Sequence, residues 1–225
     1  MVTNEIFTRV FRIAVDSVNG TAFTMEHNET QFLVTAKHLF DHLNHPHNFT
    51  IRLLASSGYQ SYNVDIRYPP SATVDIAVMK LNPYQPLSSF FDNLNTTSGL
   101  TYGQDVYFLG FPYNYDSILQ TLPGETSPVP FVKKACMSSI IRSNNDILLL
   151  LDGHNNPGFS GGPVCFRSSD QQPMTIAGVI SGYRYSKQPI VDNNDQAQQY
   201  YWKENTGIIY AYSIKHAVDI VIGWT

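Results

Sequence analysis

The chain has 225 residues, 43% of them hydrophobic, with 14 basic and 18 acidic side chains and a formal charge of −4. That apolar content supports a sizeable core, while no apolar run approaches the roughly 20 residues that span a bilayer. A weakly acidic chain without a basic cluster gives no support to nucleic-acid binding, so neither a nucleic acid nor a membrane is an expected partner.

In chain order, Met1 to Phe7 lack the basic-then-apolar pattern of a secretory leader, and a cytoplasmic location is the expectation. Residues 6–15 read as a β-rich segment, and Asn19-Gly20 is a hairpin signal leading into Thr21 to Thr24 and then 31–35. A short helical turn is expected over Leu39 to Leu43, then strands near 49–55, 60–68 and 74–81. Residues 82–103, with Pro83, Pro86 and Gly99, read as a connection. Further strands are expected near 104–111, 130–142, 146–151, 163–167, 174–183 and 206–212, with an irregular stretch at 113–129. Ser213 can cap a closing helix in which Ile214, Ala217, Val218 and Val221 share a face. Many short strands at regular spacing argue for an all-β chain of closed antiparallel barrels.

Three motifs carry chemistry. Gly158-Phe159-Ser160-Gly161-Gly162-Pro163 sets a serine among small residues, where the backbone can turn tightly and a substrate can approach. A serine hydroxyl is a poor nucleophile without a base to take its proton and donors to receive the oxyanion. Upstream, the apolar run Phe32 to Ala36 leads through Lys37 to His38, a candidate base. Between them, Val74-Asp75-Ile76-Ala77-Val78 opens an apolar strand on an aspartate, a candidate for fixing the histidine tautomer.

Together these segments resemble the chymotrypsin-like (trypsin-like) serine proteases, whose motifs run in the order His, Asp, Ser. Three further segments extend the resemblance, the last two toward the substrate strand and toward the HtrA-like bacterial branch: Gln104 to Pro112, Ala177 to Tyr183, and Asn205 to Tyr212. The resemblance implies two six-stranded antiparallel β-barrels and a short C-terminal helix. The first barrel would span about 1–90, the second about 100–212 and the helix 213–222, in a single peptidase domain without a PDZ domain. It implies a serine endopeptidase acting on polypeptides through His38, Asp75 and Ser160, with the amides of Gly158 and Ser160 as oxyanion hole. Ser181, Gly182 and Tyr183 would line the substrate groove as a pairing strand, and no metal or organic cofactor is implied.

Two departures from the digestive members stand out. Phe159 occupies the position where those enzymes have an aspartate that receives a freed N-terminal ammonium, so activation by N-terminal cleavage is not expected. His154, with Asn155 beside it, stands where the family floors its primary specificity pocket and offers no carboxylate for Arg or Lys.

Rival readings are weaker. His42, His45 and His47 crowd one loop, but with only Asp41 among them and no ligand spacing they read as solvated. Asp65 competes with Asp75 but lacks its Asp-Ile-Ala-Val context. Cys136 and Cys165 are too few for a disulfide framework and read as packed thiols, with one bridge between them as the alternative. The alternative functions are a non-catalytic peptide-binding module on the same fold and an esterase using the same triad.

Overall fold

Strands that are apolar on both faces need something to pack against on each side, and this fold supplies both. The computed structural model describes residues 2–43, 49–88, 99–115, 117–122, 125–169, 171–192 and 196–224. A one-turn helix α1 (Asn4–Phe7) precedes the first six strands: β1 (Val10–Val15), β2 (Val18–His27), β3 (Thr30–Thr35), β4 (Phe49–Ala55), β5 (Gly58–Arg67) and β6 (Ala77–Leu81). They close into an antiparallel barrel in the order β1-β2-β3-β6-β5-β4.

The second half contributes β7 (Asp105–Gly110), a hairpin of β8 (Ser117–Leu122) and β9 (Glu125–Val129), then β10 (Phe131–Ser143), β11 (Asp146–Asp152), β12 (Pro163–Phe166), β13 (Thr175–Val191) and β14 (Ala197–Ser213). The order β10-β11-β14-β13-β12-β7 closes a second barrel, and helix α2 (Lys215–Ile222) follows. The expected all-β fold of two six-stranded barrels with a C-terminal helix is the observed one.

Alternation along the strands sorts the core into three parts. Leu33, Ala77 and Met79 point into the first barrel, and Val106, Phe108, Leu149 and Leu151 into the second. Their neighbours Phe32, Val34, Val78, Leu109 and Phe111 face a third cluster between the barrels. Strands β3, β6 and β7 are therefore buried on both sides, which is why their sequences run apolar without a polar alternate. Ile214, Ala217 and Val221 of α2 seal the same inter-barrel cluster. The Ser213 hydroxyl accepts the Lys215 amide at 3.3 Å.

Several local expectations need correction. The first hairpin turns at Asp16-Ser17, with Val15 opposite Val18 and Asp16 in the left-handed region (φ 51°), while Asn19 and Gly20 lie inside β2. Gly20 is required there for another reason: a Cβ would stand 2.7 Å from Leu39 Cδ1 and 3.0 Å from the Ser160 carbonyl. The turn after Ala36 is a 3-10 helix over Lys37–Phe40, earlier than expected. Asp75 precedes β6 rather than opening it. Within 113–129, β8 and β9 form a hairpin in place of the irregular stretch.

The largest difference is the length of β13 and β14, which run on past the barrel as a two-stranded ribbon to the pair Val191–Ala197. Hydropathy does not flag this extension because it buries no apolar face. Its cross-strand contacts include two cation–π pairs, Lys187 over Tyr201 at 4.4 Å and Lys203 over Tyr185 at 4.5 Å, and the Gln188–Glu204 hydrogen bond at 2.9 Å. Much of the expected 82–103 connection (89–98), together with His45 and His47, lies outside the described residues.

Candidate active site

Each candidate side chain is fixed by apolar neighbours in sequence. Leu39 and Phe40 sink into the first barrel and hold His38 at its rim. Val74 and Ile76 are fully buried between the barrels and grip Asp75 from both sides. Phe159 is fully buried in the second barrel, edge-on to Phe108 at a centroid distance of 4.9 Å, and so anchors Ser160. The site lies where the two barrels meet.

Asp75 accepts two hydrogen bonds from His38, one from the backbone N–H to Oδ1 at 2.8 Å and one from Nδ1 to Oδ2 at 2.7 Å. The paired contact sets both the ring's orientation and its tautomer, leaving Nε2 free to accept. The Ser181 hydroxyl donates to the same Oδ2 at 2.5 Å, and the Ser160 hydroxyl donates to the Ser181 carbonyl at 3.2 Å. Ser181 thus links the Ser160 hydroxyl to the Asp75 carboxylate, a connection its sequence context did not disclose. It sits where the β13–β14 register shifts between Ile180 and Gly182, and such a bulge re-aims a side chain. Asp65 is on β5, accepting from Asn82 at 3.3 Å, and it is Asp75 that bonds His38.

Electrostatics follow the geometry. Burial disfavours the charged form of both partners, but their mutual bond and attraction outweigh it. His38 is held above its usual 6.5, with Asp41 adding to the field, and Asp75 is held below the usual carboxylate range with help from the Ser181 hydroxyl. The imidazole side chain is 39% exposed and the carboxylate 16%, so the ring meets solvent while the charge behind it is shielded.

The loop that carries Ser160 is held at every carbonyl from His154 to Ser160. Lys133 Nζ donates to the His154 carbonyl at 2.7 Å and Asn205 Nδ2 to that of Asn155 at 2.7 Å. The Phe159 amide takes the Asn156 carbonyl, the Tyr113 amide takes that of Pro157 at 2.9 Å, and Thr21 Oγ1 takes that of Gly158 at 2.7 Å. The Gly162 amide closes on Phe159, and the Thr21 amide on Ser160 at 2.8 Å. A peptide unit points its C=O and N–H in opposite directions. With the Pro157 carbonyl bonded to Tyr113, the Gly158 N–H therefore turns the other way. The amides of Gly158 and Ser160 have no acceptor among the described residues. Two unclaimed donors beside a serine hydroxyl can receive an oxyanion.

The specificity candidates are dispersed. Gly182 and Tyr183 are half-buried on β13, opposite Tyr210 and Ile209. Asn155 is buried, its side-chain oxygen accepting the Asn156 amide at 2.9 Å, while His154 is exposed and offers its backbone to Lys133. Asn205, which bonds the Asn155 carbonyl, is a further residue of this region that the sequence reading did not assign. His42 meets Asp16 at 3.5 Å, and no group of His, Cys, Asp and Glu that could hold a metal ion occurs among the described residues. Both cysteines are free; Cys165 is fully buried and its thiol pushed far up by burial.

The trypsin-like peptidase domain profile matches residues 20–173. The chain belongs to the trypsin-like peptidase family. No curated protein matches it in sequence. Among solved structures, this peptidase-family chain is similar to the HtrA-type protease AlgW bound to a tripeptide (16% identity, TM-score 0.60, 96% of this chain and 60% of that one). It is also similar to Deg5 (18%, TM-score 0.58, 94% and 86%) and to Rv3671c of M. tuberculosis H37Rv (13%, TM-score 0.57, 97% and 87%). At these identities the likeness is one of fold. The chain spans about 60% of the length of AlgW.

Proposed function

We propose that this peptidase-family chain is a serine endopeptidase. The observation that carries the reading is the pair of free amides at Gly158 and Ser160, beside a hydroxyl linked through Ser181 to the His38–Asp75 pair. In this mechanism His38 Nε2 takes the Ser160 proton as Oγ attacks the scissile carbonyl, and the oxyanion settles on the two amides. His38 then gives that proton to the leaving amine, breaking the C–N bond and leaving an acyl-enzyme that water hydrolyses by the same steps. Asp75 stays ionised and stabilises the imidazolium. The substrate backbone pairs with Ser181 to Tyr183 as an added strand. Labelling by a fluorophosphonate probe, followed by turnover of a peptide library, tests the reading. An unlabelled Ser160 refutes it, and labelling with ester but no peptide turnover makes the chain an esterase.

The acid limb of the rate follows from the His38–Asp75 bond. His38 accepts a proton only when neutral, and its pKa lies above 6.5. kcat/KM is therefore expected to rise with pH through a midpoint above 6.5 and then reach a plateau on the acid side of any alkaline loss. Asp75→Asn removes the charge that opposes desolvation, so the midpoint moves down while the plateau falls by about 10⁴. A pH–rate profile of the two proteins checks both shifts.

Specificity should exclude basic side chains. Neither His154 nor Asn155 supplies a carboxylate, and the Lys133 ammonium bound behind them adds positive charge on that side. A buried, unpaired cation is costly. Cleavage after Arg or Lys is expected to be poor relative to uncharged or acidic residues, and a preference for Arg in the library would refute this expectation.

A further inference from the structure

The donors that hold the nucleophile loop from outside it come from Thr21, Tyr113, Asn205 and Lys133, and Lys133 is the charged one among them. It lies on β10 next to Ala135 and Met137, sharing their inward face, so its side chain runs along the end of the second-barrel core. There the ammonium touches the loop in three places. It donates to the His154 carbonyl at 2.7 Å and to Asn156 Oδ1, and it stands 5.6 Å from the centroid of the Phe159 ring. Asn156, oriented by that contact, donates through Nδ2 to Tyr113 Oη at 3.3 Å. Tyr113 is the residue whose amide holds the Pro157 carbonyl outward, and its own backbone is in the left-handed region at φ 50°.

Resting on the serine-peptidase reading above, the geometry points to Lys133 as a positioning residue. Its ammonium, an internal cation, fixes residues 154–159 so that the Gly158 amide faces the oxyanion. A charge-assisted hydrogen bond is about twice as strong as a neutral one, so the latch is strong only while Lys133 is protonated. Phe159 cannot pair with an ammonium as a carboxylate would, but its ring face can attract one.

Burial holds the Lys133 ammonium below the usual lysine range of 10.5. The groups around it are the Phe108 strand position opposite on β7, the Tyr113 hydroxyl beyond Asn156, the exposed His154 ring, and the Lys134–Asp105 ion pair on the other face of β10. No carboxylate is bonded to Lys133 among the described residues to offset that burial.

The test compares wild type, Lys133→Met and Lys133→Arg by fluorophosphonate labelling rate and by kcat and KM on one peptide. Lys133→Met is expected to slow labelling and lower kcat about tenfold or more at neutral pH, short of the 10²–10³ of a deleted oxyanion donor, with KM little changed. Lys133→Arg should recover most of the rate. As pH rises, wild type should slow with a midpoint below 10.5, and the arginine protein, still charged, should not. Lys133→Met labelling as fast as wild type overturns the inference, as do equal losses in both variants. Should the methionine protein fail to fold, matching alkaline limbs in wild type and Lys133→Arg overturn it. Failure of wild type itself to label refutes the peptidase reading, and the latch with it, and is distinct from every other outcome.

Discussion

Ser160→Ala is expected to lower kcat by roughly 10⁶-fold and to abolish fluorophosphonate labelling, with the fold unchanged. Among the described residues the hydroxyl makes one hydrogen bond, to the Ser181 carbonyl at 3.2 Å, whereas the backbone of Ser160 stays bonded to Thr21 of the other barrel. Losing one half-exposed hydroxyl contact costs about 1 kcal/mol or less, so thermal melting should be nearly that of wild type. His38→Ala should be almost as damaging, and the double variant little worse than either, since a base without a nucleophile has nothing to activate. Labelling that survives in Ser160→Ala would sink the assignment.

Gly158→Ala should be damaging through geometry alone, without touching a side chain of the proposed chemistry. Gly158 has φ +105°, and a Cβ there would stand 2.2 Å from the Phe111 carbonyl oxygen, a backbone atom that cannot step aside. The chain must rotate to relieve the overlap, and rotation swings the 157–158 peptide that aims the amide. A misplaced donor is worth as much as a missing one, so kcat is expected to fall about 10²–10³-fold. Near-normal melting with KM preserved would locate the damage in the hole. Unchanged kcat in a folded Gly158→Ala protein would show that this amide does not serve the oxyanion. Gly161, where a Cβ would meet the Thr21 carbonyl and Thr35 Oγ1 at 2.1 Å, is a harsher site of another kind, because it lies in the seam joining the barrels.

That seam explains why some of the site was legible and some was not. His38, Asp75 and Ser160 each stand in a short motif whose apolar flanks enter a core, so local sequence marks both the group and its anchor. Thr21 carries no such mark. Its hydroxyl donates to the Gly158 carbonyl and accepts the Phe111 amide, and its amide holds Ser160, three bonds to residues far along the chain. In sequence it is an ordinary β-branched residue after a glycine. Lys133, Tyr113 and Asn205 are equally silent, since each acts through one polar atom on a backbone carbonyl of another element.

The same division holds for the fold. Burial on both faces writes itself into composition, so β3, β6 and β7 are readable as apolar runs, and their number and spacing imply barrels. The ribbon of β13 and β14 beyond the barrel buries little and left no such trace. The hairpin at Asp16-Ser17 was misplaced because Gly20 signals a turn by its conformational freedom, whereas here it serves close approach of Leu39 and Ser160. By itself the sequence determined the barrel architecture and named the three candidate groups of the proposed chemistry, since hydrophobic patterning and motif chemistry are local. Only the tertiary structure decided which way the 157–158 peptide faces and that an ammonium stands behind it. Those depend on donors from both barrels meeting one loop, and no local pattern encodes a meeting between distant residues.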